Sequence, residues 1–320
     1  MTTGLPRILI TPRSLTSAGV ETIAELRALT DAGYDLLSGP AGRTPSVAEL
    51  TALLGDEAGG PVVGYLAGVE PIPAEVLSSA PSLRVISRNG VGTDAVDTAA
   101  ASDAGIAVEI ARGSNAQGVA ELAALHILAS LRFLGSGIDS VRAGGWDRAR
   151  GRELAGRTVG IVGLGAIGRT VATIASAVGA TVIASDPFVT ESELARLVTP
   201  AELFATADVV TLHSPPAERP LVDDDVLATM RDGSVLVNTA RSALVDGGAV
   251  LRALESGRLS AYAVDAFDSE PPVLDDLLRH PRCFPTPHLG GFTDESVHRA
   301  TSFAVDNLLR VLSSDRATDR

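Results

Sequence analysis

Between Arg157 and Asp186 the chain reads RTVGIVGLGAIGRTVATIASAVGATVIASD, and no other stretch narrows so sharply what the sequence can become. A β-branched apolar run meets glycines at Gly163, Gly165 and Gly168, a helical pattern follows, and a second β-branched run ends on Asp186. Strand, glycine turn, helix and strand in that order make a crossover between parallel strands, which lays the helix on the face of the sheet. The spacing G-x-G-x-x-G gives each glycine its own task. The first makes the tight turn, the second admits a pyrophosphate to the backbone, and the third lets helix and strand pack closely. N–H groups near Ala166 and Ile167 would then face the diphosphate from the helix N-terminus. Asp186 is placed to accept hydrogen bonds from the adenosine ribose. A 2′-phosphate there would meet like charge, and Pro187 and Phe188 bring no arginine, so the expected cofactor is NAD rather than NADP. The plainer alternative is a glycine-rich turn that holds no nucleotide.

The same alternation extends through the chain. RILIT, PVVGYLAG, LRVIS and IAVEI read as strands in the first third, with GVETIAELRALTDAG, PAEVLSSA and DAVDTAAASDAG as helices between them. A second series runs through RTVGIVG, TVIASD, DVVTLH, SVLVNTA and AYAVDAF. Residues 115–134 form an apolar helical stretch that could bridge the two series, and DESVHRATSFAVDNLLRVL near the C-terminus has amphipathic spacing. With 320 residues the expectation is two α/β domains, each with its own core and a parallel sheet, with a cleft between them.

Composition excludes whole classes of chemistry. The net charge of −13 argues against a nucleic-acid partner or an anionic membrane. The arginines of RAGGWDRARGRELAGR alternate with acids and glycines, which reads as a solvated arm or subunit contact. There is no lysine at all, which removes Schiff-base chemistry and the P-loop lysine. Arginine still grips carboxylates with a planar fork. The single cysteine, Cys283, has no partner for an internal disulfide and reads as a buried inert thiol in a reducing compartment. The N-terminus carries no signal-peptide pattern and no apolar run is long enough to span a bilayer, so the expectation is a cytoplasmic protein. No metal site is expected.

Three pieces at strand ends of the second series carry the candidate chemistry. Arg241 follows SVLVN, Asp265 and Glu270 lie in AYAVDAFDSEPP, and His288 sits in FPTPHLGGFT between prolines and glycines. Reducing a 2-oxo acid requires a cation for the carboxylate, a hydride donor, and an acid for the carbonyl oxygen. Arg241 suits the first task as a bidentate clamp. His288 suits the acid, since histidine titrates near working pH, and Glu270 bonded to its ring would favour the imidazolium. Plainer alternatives stand beside each: Arg241 paired with Asp246, Glu270 as a loop acid, Asp265 capping a turn. His213 in TLHSPP, with Thr239 and Gly290, is placed among the cofactor contacts. His126, His280 and His298 are read as structural.

These motifs in this order resemble the D-isomer-specific 2-hydroxyacid dehydrogenase family, in particular its phosphoglycerate-dehydrogenase-like branch. The resemblance rests on SRNGVGTDAVD, GSNAQGVAEL, ELAGRTVGIVGLGAIGR, NTARSALVD, DAFDSEPP and TPHLGGFT. It implies a flavodoxin-like substrate domain from residues 1–99 plus 290–320 and a Rossmann NAD domain from 100–289. It implies Arg241, Glu270 and His288 as the catalytic trio and Asp265 near the nicotinamide carboxamide. Val91 and Gly92 would help hold the substrate carboxylate, Arg88 or Arg13 an anionic tail, and Trp146 the interface of a homodimer built through the cofactor domain. The implied activity is interconversion of a small D-2-hydroxy acid and its 2-oxo acid. The alternatives are 3-phosphoglycerate dehydrogenase proper or a non-enzymatic NADH-sensing protein like the corepressors on this fold. Glu270–Pro271 stands where formate-oxidising relatives resemble QP, and phosphite-type oxidation remains open. Two departures matter: Ser242 replaces the usual glycine after the arginine, and the loop YLAGVEPI has Ala67, Gly68 and Glu70 where a phosphate-holding arginine would stand.

Overall fold

The computed structural model describes residues 4–56 and 58–318. The chain divides into two compact units, residues 1–115 with 294–320 and residues 116–293.

The first unit is built on strands β1 (Arg7–Ile10), β2 (Asp35–Ser38), β3 (Val62–Ala67), β4 (Val85–Arg88) and β5 (Ala107–Ile110). They form a parallel sheet in the order β2-β1-β3-β4-β5, the flavodoxin-like arrangement. Side chains alternate across the strands. Ile8, Ile10, Leu66 and Val85 turn to one face, where the helix Asp294–Thr318 lays down Ala304, Val305, Leu308 and Leu312. Leu9, Tyr65 and Ile86 turn to the other, against Leu50, Leu54 and Val76. Both faces are covered, so the central strands read as unbroken apolar runs. Each fully buried Leu or Ile contributes about 1.5–3 kcal/mol.

Three expectations are revised here. The helical reading of residues 19–33 gives way to two 3-10 turns, Val20–Thr22 and Ala24–Leu26, before a short helix Arg27–Asp31. Extended backbone at Ile23 (ψ 115°) interrupts the helix between the turns. The edge strand β2 was not anticipated, because only Leu36 and Leu37 are apolar and partly buried, between exposed Asp35 and Ser38, too short a run to mark a strand. Residues 100–115, assigned above to the cofactor domain, fall in the first unit, and 290–293, assigned to the substrate domain, fall in the second: β5 pairs with β4, and the preceding helix Thr98–Asp103 is capped by Asp97 and buries Ala101.

The second unit holds β6 (Thr158–Val162), β7 (Thr181–Ser185), β8 (Arg196–Leu197), β9 (Val209–Leu212), β10 (Ser234–Asn238), β11 (Leu259–Val264) and β12 (Cys283–Pro285). All pair in parallel, in the order β12-β11-β10-β9-β6-β7-β8. This is the doubly wound order, with its reversal between β6 and β9. Val159, Ile161, Val235, Val237, Ala261 and Ala263 face the helix Ala116–Leu131, which buries Ala120, Ala123, Ile127 and Leu131 against them. Val210, Leu212, Leu236, Tyr262 and Val264 fill the opposite face. Cys283 is buried there, and burial pushes its thiol up to about 12. Among the described residues no single helix is long and apolar enough to cross a membrane.

Candidate functional site

In a parallel sheet every strand ends at the same edge, so residues that follow the strands directly are gathered there. Gly163 follows β6, Asp186 follows β7, His213 follows β9, Thr239 follows β10, Asp265 follows β11, and the His288 loop follows β12. The second unit thereby collects on one edge most of the residues singled out in the sequence, at the place where open α/β sheets bind ligands.

The glycine turn has the shape its spacing implies. Gly163 has φ 91°, and a Cβ there would lie 2.8 Å from the His213 carbonyl carbon. A Cβ on Gly168 would come within 2.1 Å of the Gly163 oxygen, so helix Ala166–Ala177 can approach β6 only with glycine at this position. Around Gly165 a Cβ would meet nothing within 4 Å, which leaves its backbone open to a ligand. No side chain caps this helix at Gly165 and no acid stands in its first turn, so its N–H groups remain available to an anion. Asp186 accepts from Leu164 N at 2.7 Å and Phe188 N at 2.8 Å, which ties the turn to the end of β7. Two buried polar atoms at this edge of the sheet, His213 Nδ1 and Thr239 Oγ1, lack a hydrogen-bond partner among the described residues. Burial pushes the His213 imidazole down to about 4, so it stands neutral. An uncapped helix, an open glycine and orphaned polar atoms fit the diphosphate and ribose of a dinucleotide.

His288 Nδ1 lies 2.6 Å from Glu270 Oε1, with both side chains about half exposed. His288 has φ 52°, a left-handed conformation that costs about 1–3 kcal/mol for a residue with a Cβ and persists only where its surroundings impose it. Asp265 imposes it. Its Oδ1 accepts from Thr286 Oγ1 at 2.6 Å and Leu289 N at 2.8 Å, and its Oδ2 accepts from Gly290 N at 2.8 Å. The carboxylate, 2% exposed, thus grips the loop on both sides of His288. Gly290, expected among the cofactor contacts, is buried with its N–H given to Asp265, and a Cβ there would press on Asp265 and Val119 at 3.1 Å.

Arg241 is set by the turn after β10. Buried Asn238 donates from Nδ2 to Arg241 O at 2.8 Å and accepts from Ala240 N at 3.1 Å. Asp246 caps the next helix through Ala249 N. Ser242 fits the loop without a positive φ, opens the 3-10 turn Ser242–Leu244, and donates to Asp268 at 2.6 Å. The usual glycine is therefore not required here.

In the first unit Arg88 is the last residue of β4 and 7% exposed. Its Nε donates to Gly92 O at 3.0 Å, shaping the loop that carries Val91 and Gly92. Glu70 is buried and accepts from Thr11 Oγ1, Tyr65 OH and Gly68 N. Arg13 is exposed on the helix Arg13–Thr16. Sequence reasoning missed Thr286 and His126: His126, read as structural, lies with its Nε2 3.0 Å from Thr286 Oγ1. Nothing local in the sequence marks a contact between residues so far apart.

Comparison with known proteins agrees with this geometry. The family described as "D-isomer specific 2-hydroxyacid dehydrogenase, NAD binding domain" matches residues 124–290. A D-3-phosphoglycerate dehydrogenase of Mycobacterium leprae (strain TN) is 38% identical over 256 residues, which cover 78% of this chain and 48% of that protein. An (S)-sulfolactate dehydrogenase of Chromohalobacter salexigens is 39% identical over 251 residues, covering 75% of this chain and 81% of that one. The crystal structure of the TT0316 protein from Thermus thermophilus superposes with a TM-score of 0.84 at 32% identity, over 96% of this chain and 97% of that one. The chain spans about half the length of the phosphoglycerate dehydrogenases it matches. On the matched residues, the two sheet orders and the glycine turn together, the chain belongs to the D-isomer specific 2-hydroxyacid dehydrogenase family.

Proposed function

We propose that this chain is an NAD-dependent oxidoreductase that interconverts a small D-2-hydroxy acid and its 2-oxo acid. The 2.6 Å bond between His288 Nδ1 and Glu270 Oε1 carries the reading. A carboxylate only accepts, so Nδ1 holds the proton of that bond and Nε2 is left to serve the substrate. Protonated, Nε2 donates to the carbonyl oxygen during reduction; neutral, it takes the hydroxyl proton during oxidation. Arg241 holds the substrate carboxylate with its guanidinium fork. When bound, the reduced dinucleotide would supply the hydride and the oxidised one would accept it, and the glycine turn, Asp186, His213 and Thr239 would hold it. Asp265 keeps His288 in place. Val91 and Gly92 are the proposed contacts for the substrate carboxylate in the first unit.

One observation favours a second reading, an anionic tail as in 3-phosphoglycerate. Buried Arg88 Nη1 has no hydrogen-bond partner among the described residues. Such a donor is costly to leave unpaired, and a phosphate or sulfonate would satisfy it. Against it, the charges of Glu70 and Asp94 already act on Arg88 and oppose the fall that burial imposes on its guanidinium. The main reading therefore keeps a small tail. We further propose a cytoplasmic homodimer built through the second unit, where Leu125, Val141 and Trp146 are exposed.

NADH oxidation by the purified protein against glyoxylate, hydroxypyruvate, pyruvate and phosphohydroxypyruvate, with NADPH in parallel, tests the assignment. Turnover of an uncharged-tail 2-oxo acid with NADH supports the main reading, and preference for phosphohydroxypyruvate supports the second. Tight NADH binding with no turnover would overturn both in favour of an NADH sensor.

A further inference from the structure

The Thr286 hydroxyl has one proton and two close neighbours, Asp265 Oδ1 at 2.6 Å and His126 Nε2 at 3.0 Å, with Val264 O farther off at 3.4 Å. The carboxylate and the carbonyl can only accept, and the proton goes to the nearer, charged one, Asp265, so the imidazole must be the donor to the hydroxyl oxygen. With its lone pair at Nε2 instead, the ring would face the lone pairs of Thr286. His126 is 4% exposed, and burial holds its imidazole below the ordinary range, with the charge of Asp265 opposing. A neutral ring carrying its proton on Nε2 meets both demands. The ring stands on the helix Ala116–Leu131, whose Ala120, Ala123 and Ile127 are locked against the sheet, so it is a fixed post rather than a mobile arm.

We propose that His126 is a positioning residue: its Nε2–H orients the Thr286 hydroxyl onto Asp265 and so holds the loop that places His288 opposite Glu270. The role rests on the dehydrogenase reading of that pair. Asp265 Oδ1 takes the Thr286 hydroxyl on one side and Leu289 N–H on the other, while Oδ2 takes Gly290 N–H, so a single carboxylate spans His288. Fixing the hydroxyl rotor from behind is what keeps the carboxylate aligned with both amides.

The test is a double-mutant cycle between His126→Phe and Thr286→Val, read by kcat with the best 2-oxo acid and by the Kd for NADH. Loss of one oriented hydrogen bond should lower kcat about fivefold in His126→Phe, with the Kd for NADH within about twofold of wild type. His126→Gln, which keeps a donor, should recover most of the loss. The double variant should be no worse than the poorer single one, because both changes cut the same chain. Additive losses, a parallel loss of NADH affinity, or an undiminished kcat in His126→Phe would overturn the proposal. Should the wild type turn over no 2-oxo acid, the enzymatic reading falls. Hydrogen exchange then decides the positioning role: faster exchange at Leu289 and Gly290 in His126→Phe, with β10 amides unchanged, supports it, and unchanged exchange at both sinks it. If His126→Phe fails to fold, Thr286→Val replaces it in the kinetic and exchange measurements, with the same outcomes deciding.

Discussion

Replacing Asp265 by asparagine keeps the size and shape of the side chain and removes its charge and one acceptor. With the amide oxygen in the place of Oδ1, the Thr286 and Leu289 bonds survive, but the NH2 group is turned against Gly290 N–H. Flipping the amide saves Gly290 and loses the other two. The better orientation forfeits one bond to a charged acceptor, about 1.5–3 kcal/mol, and weakens two others toward the neutral range of about 0.5–1.5 kcal/mol. Relief from burying a charge returns part of this, leaving a net loss of about 2–4 kcal/mol in the loop. That is comparable with the about 1–3 kcal/mol needed to keep His288 left-handed, so the loop can relax and the histidine leave Glu270. If only about 2 kcal/mol of the loss appears in the transition state, kcat/KM falls about thirtyfold. Steady-state NADH oxidation and urea unfolding, run side by side on wild type and Asp265→Asn, measure both halves. A variant with kcat/KM within about twofold of wild type and an unchanged unfolding midpoint would refute the brace.

Glu270→Gln and His288→Ala should each lower kcat about a hundredfold or more, the usual worth of an oriented acid–base group, while NADH titrations stay near wild type. Equal losses in both would assign the pair a structural role. Gly168→Ala places a Cβ 2.1 Å from the Gly163 oxygen, so the helix must move away from β6. Urea unfolding should show a loss of about 2 kcal/mol or more and calorimetry a weakened NADH affinity. His213 is neutral in the fold, its value lowered from 6.5 to about 4, so below pH 6.5 the unfolded chain takes a proton that the folded chain refuses. Its contribution is complete above pH 6.5 and is lost as pH falls toward 4, by up to about 3 kcal/mol. Denaturation across pH 7.5 to 4 of wild type against His213→Gln isolates it from the carboxylates; parallel curves would contradict the burial argument.

The glycine turn was legible because its constraints are local. Gly168 must be small to clear the Gly163 oxygen, Gly163 needs its positive φ for the turn, and Asp186 closes the same crossover; only the approach of His213 to Gly163 comes from afar. The apolar strands were legible because both faces are covered, and the parallel edge then followed from their order. The segment at residues 19–33 was not legible, since its composition allows a helix and only packing at Val20 and Leu26 selects separate turns. Nor was β2, an edge strand with little buried surface to mark it.

At the site, the residue types Arg241, Glu270 and His288 carry the acid–base and carboxylate-holding roles proposed for them, and the flanking prolines and glycines announced a constrained loop. What holds that loop was hidden. Thr286 and His126 lie 160 residues apart in sequence, and Asp265 reaches Gly290 across 25. Local backbone preference and apolar patterning are properties of neighbours along the chain, so sequence alone determined most of the elements and the available residue chemistry. Which proton goes to which acceptor depends on sheet register and helix placement, and only the tertiary structure decided that.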